Sequence, residues 1–184
     1  MAAEVFLWWI GADAPDDDLL DEVRRHVERV YRVKSRRYHH GDRPKHAFDP
    51  RRGQHSSTQI LRWLVERPHP GGRVVAITDV DLFIPVLTFV YGEAQLGGRS
   101  AVVSTARLGL GLEAQADPRL PADRTIKEVV HELGHTFGLV HCDTRECVMS
   151  RSVNLLDVDS KRAELCQGCD ALYEELRRKE GRHG

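Results

Sequence analysis

His131, Glu132, His135 and His141, all within HELGHTFGLVH (131–141), are the residues of this chain whose types and spacing could do chemistry together. On a helix, positions four apart share a face, so the imidazoles of His131 and His135 would project side by side. Gly138 can end that helix with a sharp turn, and three residues further on His141 can return to the same point. Three neutral imidazoles leave a zinc ion its full charge and one open coordination position. That arrangement brings the pKa of a bound water to about 7. Glu132, next to the first histidine, is placed to act as general base and to return the proton to a leaving group. The competing reading is a set of ordinary histidines on an amphipathic helix. Gly138 and His141, in register with HExxH, weigh against it.

Cys142, Cys147, Cys166 and Cys169 follow as two pairs, with four and two intervening residues. Four thiolates around a tetrahedral zinc make a closed structural site with no exchangeable position. Two disulfides, a redox pair at Cys166 and Cys169, and four unrelated buried cysteines are the other readings. Clustering of all four cysteines in one stretch of chain favours the metal. Adjacent side chains generally point apart, so His141 and Cys142 should serve different ions. The cysteine site would then anchor the loop that delivers His141, and the expected load is two Zn2+ per chain, one catalytic and one structural.

These residues need a scaffold, and the chain pattern suggests one. The apolar run VFLWWI (5–10) reads as a strand buried on both faces. Pro15, Asp16, Asp17 and Asp18 open a helix with apolar positions at Leu19, Leu20, Val23, Val27, Val30 and Tyr31. Positive charge at Arg32, Lys34, Arg36 and Arg37 is read as its close. Segment 35–55 is polar, basic and broken by Gly and Pro, long enough to hold a short strand or a flap. Ser56, Ser57 or Thr58 can cap a second helix, carrying Ile60, Leu61, Leu64 and Val65 and ended by the stretch 68–72. Strands are expected at 73–78, 86–91 and 101–105, with turns at Gly92 and at Gly97 and Gly98. A helix over about 121–137 buries Ile126, Val129, Val130, Leu133 and Phe137 and carries the first two histidines. The last helix, with Leu172 and Leu176, is expected to fray into a charged tail. Strands and helices interleave, which indicates one α/β domain.

The 184 residues fit a single core, and 27 Lys plus Arg against 28 Asp plus Glu give a net charge of −1. Nothing in that balance suggests a general grip on nucleic acid or on an anionic membrane. No apolar run approaches the roughly 18 residues that span a bilayer. The opening residues lack the positive region of a secretory signal. The expectation is a cytoplasmic monomer with a peptide as its partner, and with neither nucleic acid nor membrane.

HExxHxxGxxH with a downstream methionine is the metzincin signature. The longer string HELGHTFGLVHCDTRECVM (131–149), with Cys166 and Cys169 beyond it, closely resembles the archaemetzincins. ITDVDLFIP (77–85) and FVYGEAQLGGRSAV (89–102) are similar to that family too, so the likeness covers most of the chain. The resemblance implies a compact metzincin-like zincin domain: a twisted, mostly parallel sheet, an antiparallel edge strand above the cleft, an active-site helix below it and a zinc-stapled C-terminal segment. Residues 1–184 would form one domain, with 1–137 the sheet-and-helix part and 138–184 the part holding the Met-turn and the four-cysteine site. Carried over by position, His131, His135 and His141 bind catalytic zinc, Glu132 is the general base, and Cys142, Cys147, Cys166 and Cys169 bind structural zinc. Met149 forms the Met-turn; without the resemblance it would read as a core methionine.

The leading functional expectation is a zinc metallopeptidase. No pro-segment precedes the first strand, so access to the cleft is expected to be narrow, favouring short peptides or exposed termini. A strand around 91–96 could pair with substrate backbone or be an ordinary sheet edge. A zinc-dependent protein that recognises a peptide or partner without cleaving it is the alternative. Asp79 and Asp81 read as turn residues in preference to a further metal site. His39, His40 and the neighbouring arginines could line the cleft or form a solvated loop.

Overall fold

The computed structural model describes residues 4–11, 13, 17–39, 42–67 and 72–183. Strand β1 (Glu4–Trp9) is buried on both sides, and its alternation divides the protein into two layers. Val5, Leu7 and Trp9 face one core, together with Leu20, Val23 and Val27 of α1 (Asp17–Tyr31). Phe6, Trp8 and Ile10 face the other, against Ile60, Leu61 and Leu64 of α2 (Ser57–Val65). The cap of α2 is Ser56, whose Oγ accepts from the Gln59 amide at 3.3 Å, a contact worth about 1 kcal/mol.

Lys34–His39 forms β2, which corrects the expectation that Lys34, Arg36 and Arg37 extend the first helix. The helix stops at Tyr31 because Arg32 turns left-handed, with φ of 51°. Val33 is then buried and the chain runs parallel to β1 from Lys34. The basic residues suit an exposed sheet edge, where charge discourages pairing with another chain. Arg36 donates to Glu4 at 2.5 Å and Arg37 to Asp17 at 3.2 Å.

After β3 (Phe48–Asp49) and β4 (Gln54–Ser56) come α2, then β5 (Arg73–Thr78), β6 (Leu82–Phe83), β7 (Gly92–Ala94) and β8 (Ser100–Ser104). The main sheet has the order β2-β1-β5-β8-β7. Its first four strands are parallel and β7 is antiparallel to β8. A small second sheet joins β3, β4 and β6.

The strand expected at 86–91 is absent. Pro85 lacks an amide donor, and the carbonyls that follow are taken by side chains. Arg52 donates to the Leu87 and Thr88 oxygens, and Gln54 to Thr88 at 2.9 Å. Val86 is 83% exposed, so its apolar character belongs to a surface loop.

The remaining helices are α3 (Leu112–Ala116), α4 (Leu120–Thr136), α5 (Leu155–Ser160) and α6 (Gln167–His183). All five residues expected on the inner face of α4 are buried. Arg124, 1% exposed, meets Asp159 through two bonds of 2.7 and 2.8 Å and also donates to the carbonyls of Leu108 and Leu110. It thereby ties α4 to α5. The last helix does not fray: it stays helical to His183, with Arg73 bonding Glu180 and Lys179 bonding Glu175. Tyr173 donates to the Tyr31 carbonyl at 2.5 Å and so fastens α6 to α1. Pro15, Asp16, His40 and Pro68, which figured in the sequence reading, lie outside the described residues.

Candidate metal centre

Helix α4 carries His131 and His135 one turn apart and ends at Thr136, with Phe137 as its C-cap. Gly138 adopts φ of 94°, a left-handed turn that favours glycine, and the Leu139 amide reaches back to the Gly134 carbonyl at 3.1 Å. This termination folds the chain back, and the three rings come together with centroids 4.7, 5.3 and 4.9 Å apart.

Two carbonyls set the ring orientations. Nδ1 of His131 bonds the Val148 oxygen at 2.7 Å, and Nδ1 of His135 bonds the Leu139 oxygen at 2.7 Å. A carbonyl can only accept, so each Nδ1 carries its ring's proton and each Nε2 is left with a free lone pair. Those two Nε2 atoms lie 3.1 Å apart, and the three histidine donor atoms fall within 4.8 Å of one another. A tetrahedral zinc with bonds of about 2.0–2.1 Å has a ligand edge of roughly 3.3 Å, so the site fits that ion. Burial also pushes all three imidazole pKa values down, His131 furthest, which favours the neutral form that ligates.

Glu132 is 6% exposed and sits under the edge strand. A Cβ on Gly92 would stand 2.6 Å from the Glu132 Cγ, so glycine there is what lets strand and carboxylate approach. Burial raises the Glu132 pKa well above the usual carboxylate range, and the Glu128 charge adds to the effect. A divalent cation beside it would act in the opposite direction. The strand is itself anchored: Glu93 accepts from Ser57 at 2.5 Å and from Thr58 at 3.1 Å, at the start of α2.

Met149 lies below the triad, fully buried. A Cβ on Gly134, between the two histidines on α4, would come within 2.5 Å of the Met149 sulfur and 2.7 Å of the Tyr31 hydroxyl. Tyr31 donates to the Val130 carbonyl at 2.7 Å, which holds its hydroxyl in place, and Met149 is fully buried. We expect Gly134→Ala to lower stability by about 1–3 kcal/mol through overpacking and to weaken zinc retention; thermal unfolding and metal content after dialysis check both.

The four cysteines form a second cluster, with their sulfurs within 4.8 Å of one another. The Cys142 and Cys166 sulfurs are 3.8 Å apart, close to the roughly 3.8 Å edge of a tetrahedral site with Zn–S bonds of about 2.3 Å. None of the four is joined in a disulfide. The Cys169 backbone amide, at the N-terminus of α6, holds the Cys166 thiol down to about 7, whereas burial raises Cys147 and Cys169. The two clusters adjoin. The Cys142 amide donates to the Met149 carbonyl at 2.9 Å, and Val148, between Cys147 and Met149, holds the His131 ring.

All seven expected metal ligands are therefore brought together, as two groups, with Glu132 beside the first. Among the described residues no other such cluster occurs. Asp79 pairs with Arg43, and Asp81 pairs with Arg107 at 2.7 Å. His39 is exposed on β2, at the opposite sheet edge from β7. Sequence reasoning missed the closeness of Gly92 to the carboxylate and the buried pair of Glu128 with Lys161. Glu128 did leave a signal, as a carboxylate four residues before Glu132 and so on the same face of the helix.

The sequence model of peptidase family M54 matches residues 69–177. An archaemetzincin from Methanopyrus kandleri is 41% identical over 159 residues, covering 85% of this chain and 86% of its own length. The crystal structure of the M. kandleri archaemetzincin superposes with a TM-score of 0.84 at 37% identity, over 96% of each chain. The crystal structure of a zinc-dependent peptidase from Methanocorpusculum labreanum gives a TM-score of 0.79 at 28% identity, over 92% of this chain and 99% of that one.

Proposed function

The chain belongs to peptidase family M54, the archaemetzincins, and is a zinc metallopeptidase; from that premise we propose the residues that carry the reaction and the limits on its substrate. His131, His135 and His141 would hold the catalytic zinc, and Cys142, Cys147, Cys166 and Cys169 the structural one. The bound zinc supplies Lewis acidity, which polarises a carbonyl and acidifies water. Glu132 takes the proton of the water that attacks the peptide carbonyl carbon. As the C–N bond breaks, it passes that proton to the departing amine nitrogen. Val148 and Leu139, through their carbonyls, keep the two helix-borne rings in one tautomer. Met149 packs beneath the site as support and does not ligate.

The observation that carries this reading is the convergence of the two Nε2 atoms at 3.1 Å, with His141 closing over them and Glu132 alongside. Among the described residues strand β7 pairs on one side only, with β8, so its other edge offers backbone groups to an extended peptide. Cavities of about 470 and 370 Å³ flank the imidazoles. Each has room for a side chain or two, which supports restricted access.

The test is turnover of a fluorogenic library of short peptides by zinc-loaded protein. Cleavage should be lost on chelation and restored by zinc, while denatured casein is digested slowly. An inert preparation with both metals bound would overturn the assignment, and rapid casein digestion would overturn the restriction.

A further inference from the structure

The larger of the two cavities beside the triad is lined by apolar and charged side chains. Leu87, Phe89, Tyr91 and Val153 line it together with the exposed Arg151 and the buried Glu128, one helical turn before Glu132. Glu128 is 3% exposed, and its Oε1 accepts from Lys161 Nζ at 3.1 Å; the Lys161 side chain is wholly buried. Glu128 lines the cavity and Lys161 does not. A carboxylate offers about four acceptor positions, so Lys161 balances the charge without exhausting the hydrogen-bonding capacity. The cavity therefore presents a largely buried acceptor whose charge is already met.

We propose that this cavity selects a substrate side chain with an extended body and an uncharged N–H or O–H donor at its tip, as in glutamine or tyrosine, and that Glu128 is the residue that determines this specificity. The proposal rests on the peptidase reading. A cationic tip would find Glu128 already paired and Arg151 in the same cavity. An acidic tip would meet a carboxylate. A purely apolar side chain would strip water from the free acceptor positions and give nothing back, the kind of loss by which a hydrogen-bonding pocket rejects an analogue lacking the polar group.

The experiment uses matched peptides that differ in one residue flanking the scissile bond: glutamine against methionine, and tyrosine against phenylalanine, with lysine and glutamate as further comparisons. Binding to zinc-loaded Glu132→Gln protein is measured by calorimetry, and kcat/KM is measured on the unmodified enzyme. The donor-tipped member should be favoured about 10-fold to 100-fold in each pair. The preference should disappear or reverse in Glu128→Met/Lys161→Met, which replaces the whole ion pair by apolar side chains and so leaves no buried charge unpaired. Equal treatment of the paired peptides, or a preference for lysine or glutamate, overturns the proposal. Turnover without discrimination removes it and leaves the peptidase reading intact; discrimination in binding without turnover upholds the pocket and removes the peptidase reading.

Discussion

Glu132→Gln is expected to lower kcat on a cleaved peptide by about 10²–10⁴-fold, the range for loss of a positioned general base, while the protein keeps both metals. The substitution preserves shape at a place where shape is tightly set. The carboxylate is buried beneath β7, with Gly92 the only residue type that leaves it room. It is not one of the three donors that converge on the metal position, so removing its charge leaves the ligand set complete. What the amide cannot do is accept a proton from water. Activity assays paired with elemental analysis read the two consequences separately. A fully active Glu132→Gln protein refutes the scheme, and loss of the catalytic zinc in this variant would show that Glu132 acts on the metal and not on the proton.

The second large effect is expected from Cys166→Ser/Cys169→Ser, which should empty both metal sites and lower Tm by about 10 °C or more. Structural zinc in small motifs contributes apparent binding energies of about 10–16 kcal/mol at neutral pH, comparable with the whole stability of a domain. A loss of even a few kcal/mol moves Tm of a chain this long by about 10 °C. The reason the catalytic site should follow is covalent and local. Cys147 precedes Val148, whose carbonyl orients His131; Cys142 follows His141 and bonds the Met149 carbonyl. The Val148 amide in turn donates to the Glu164 carbonyl at 3.0 Å, two residues before Cys166. Releasing the thiolates frees the segment that holds one catalytic ring and delivers another. Zinc counted per chain, before and after dialysis, decides the matter: unchanged occupancy of the histidine site would separate the two centres.

Much of this architecture was legible in the residues. Four-residue spacing on a helix, a glycine at the turn and a third histidine beyond it define a metal site through local geometry, and the Gly138 φ of 94° realises that reading. The two-sided burial of β1 was legible as a continuous apolar run, and the inner face of α4 as a helical repeat of apolar positions. Element ends were read less well. Arg32 leaves the helix through a left-handed turn, and the basic residues beyond it, charge-matched to a helix terminus, serve instead as a sheet edge. In the apolar stretch 86–91 the Leu87 and Thr88 carbonyls are met by Arg52 and Gln54, partners more than thirty residues away.

The sequence alone thus determined the candidate ligand types, their grouping into two sets and the layered α/β scaffold, because each follows from spacing along one element or from a short loop. Tertiary structure decided what surrounds them: Gly92 against Glu132, Met149 and Tyr31 against Gly134, Val148 against His131, and Lys161 against Glu128. Those contacts join residues from different elements, and their energies depend on packing and desolvation at a shared point in space, which leaves no periodic mark along the chain.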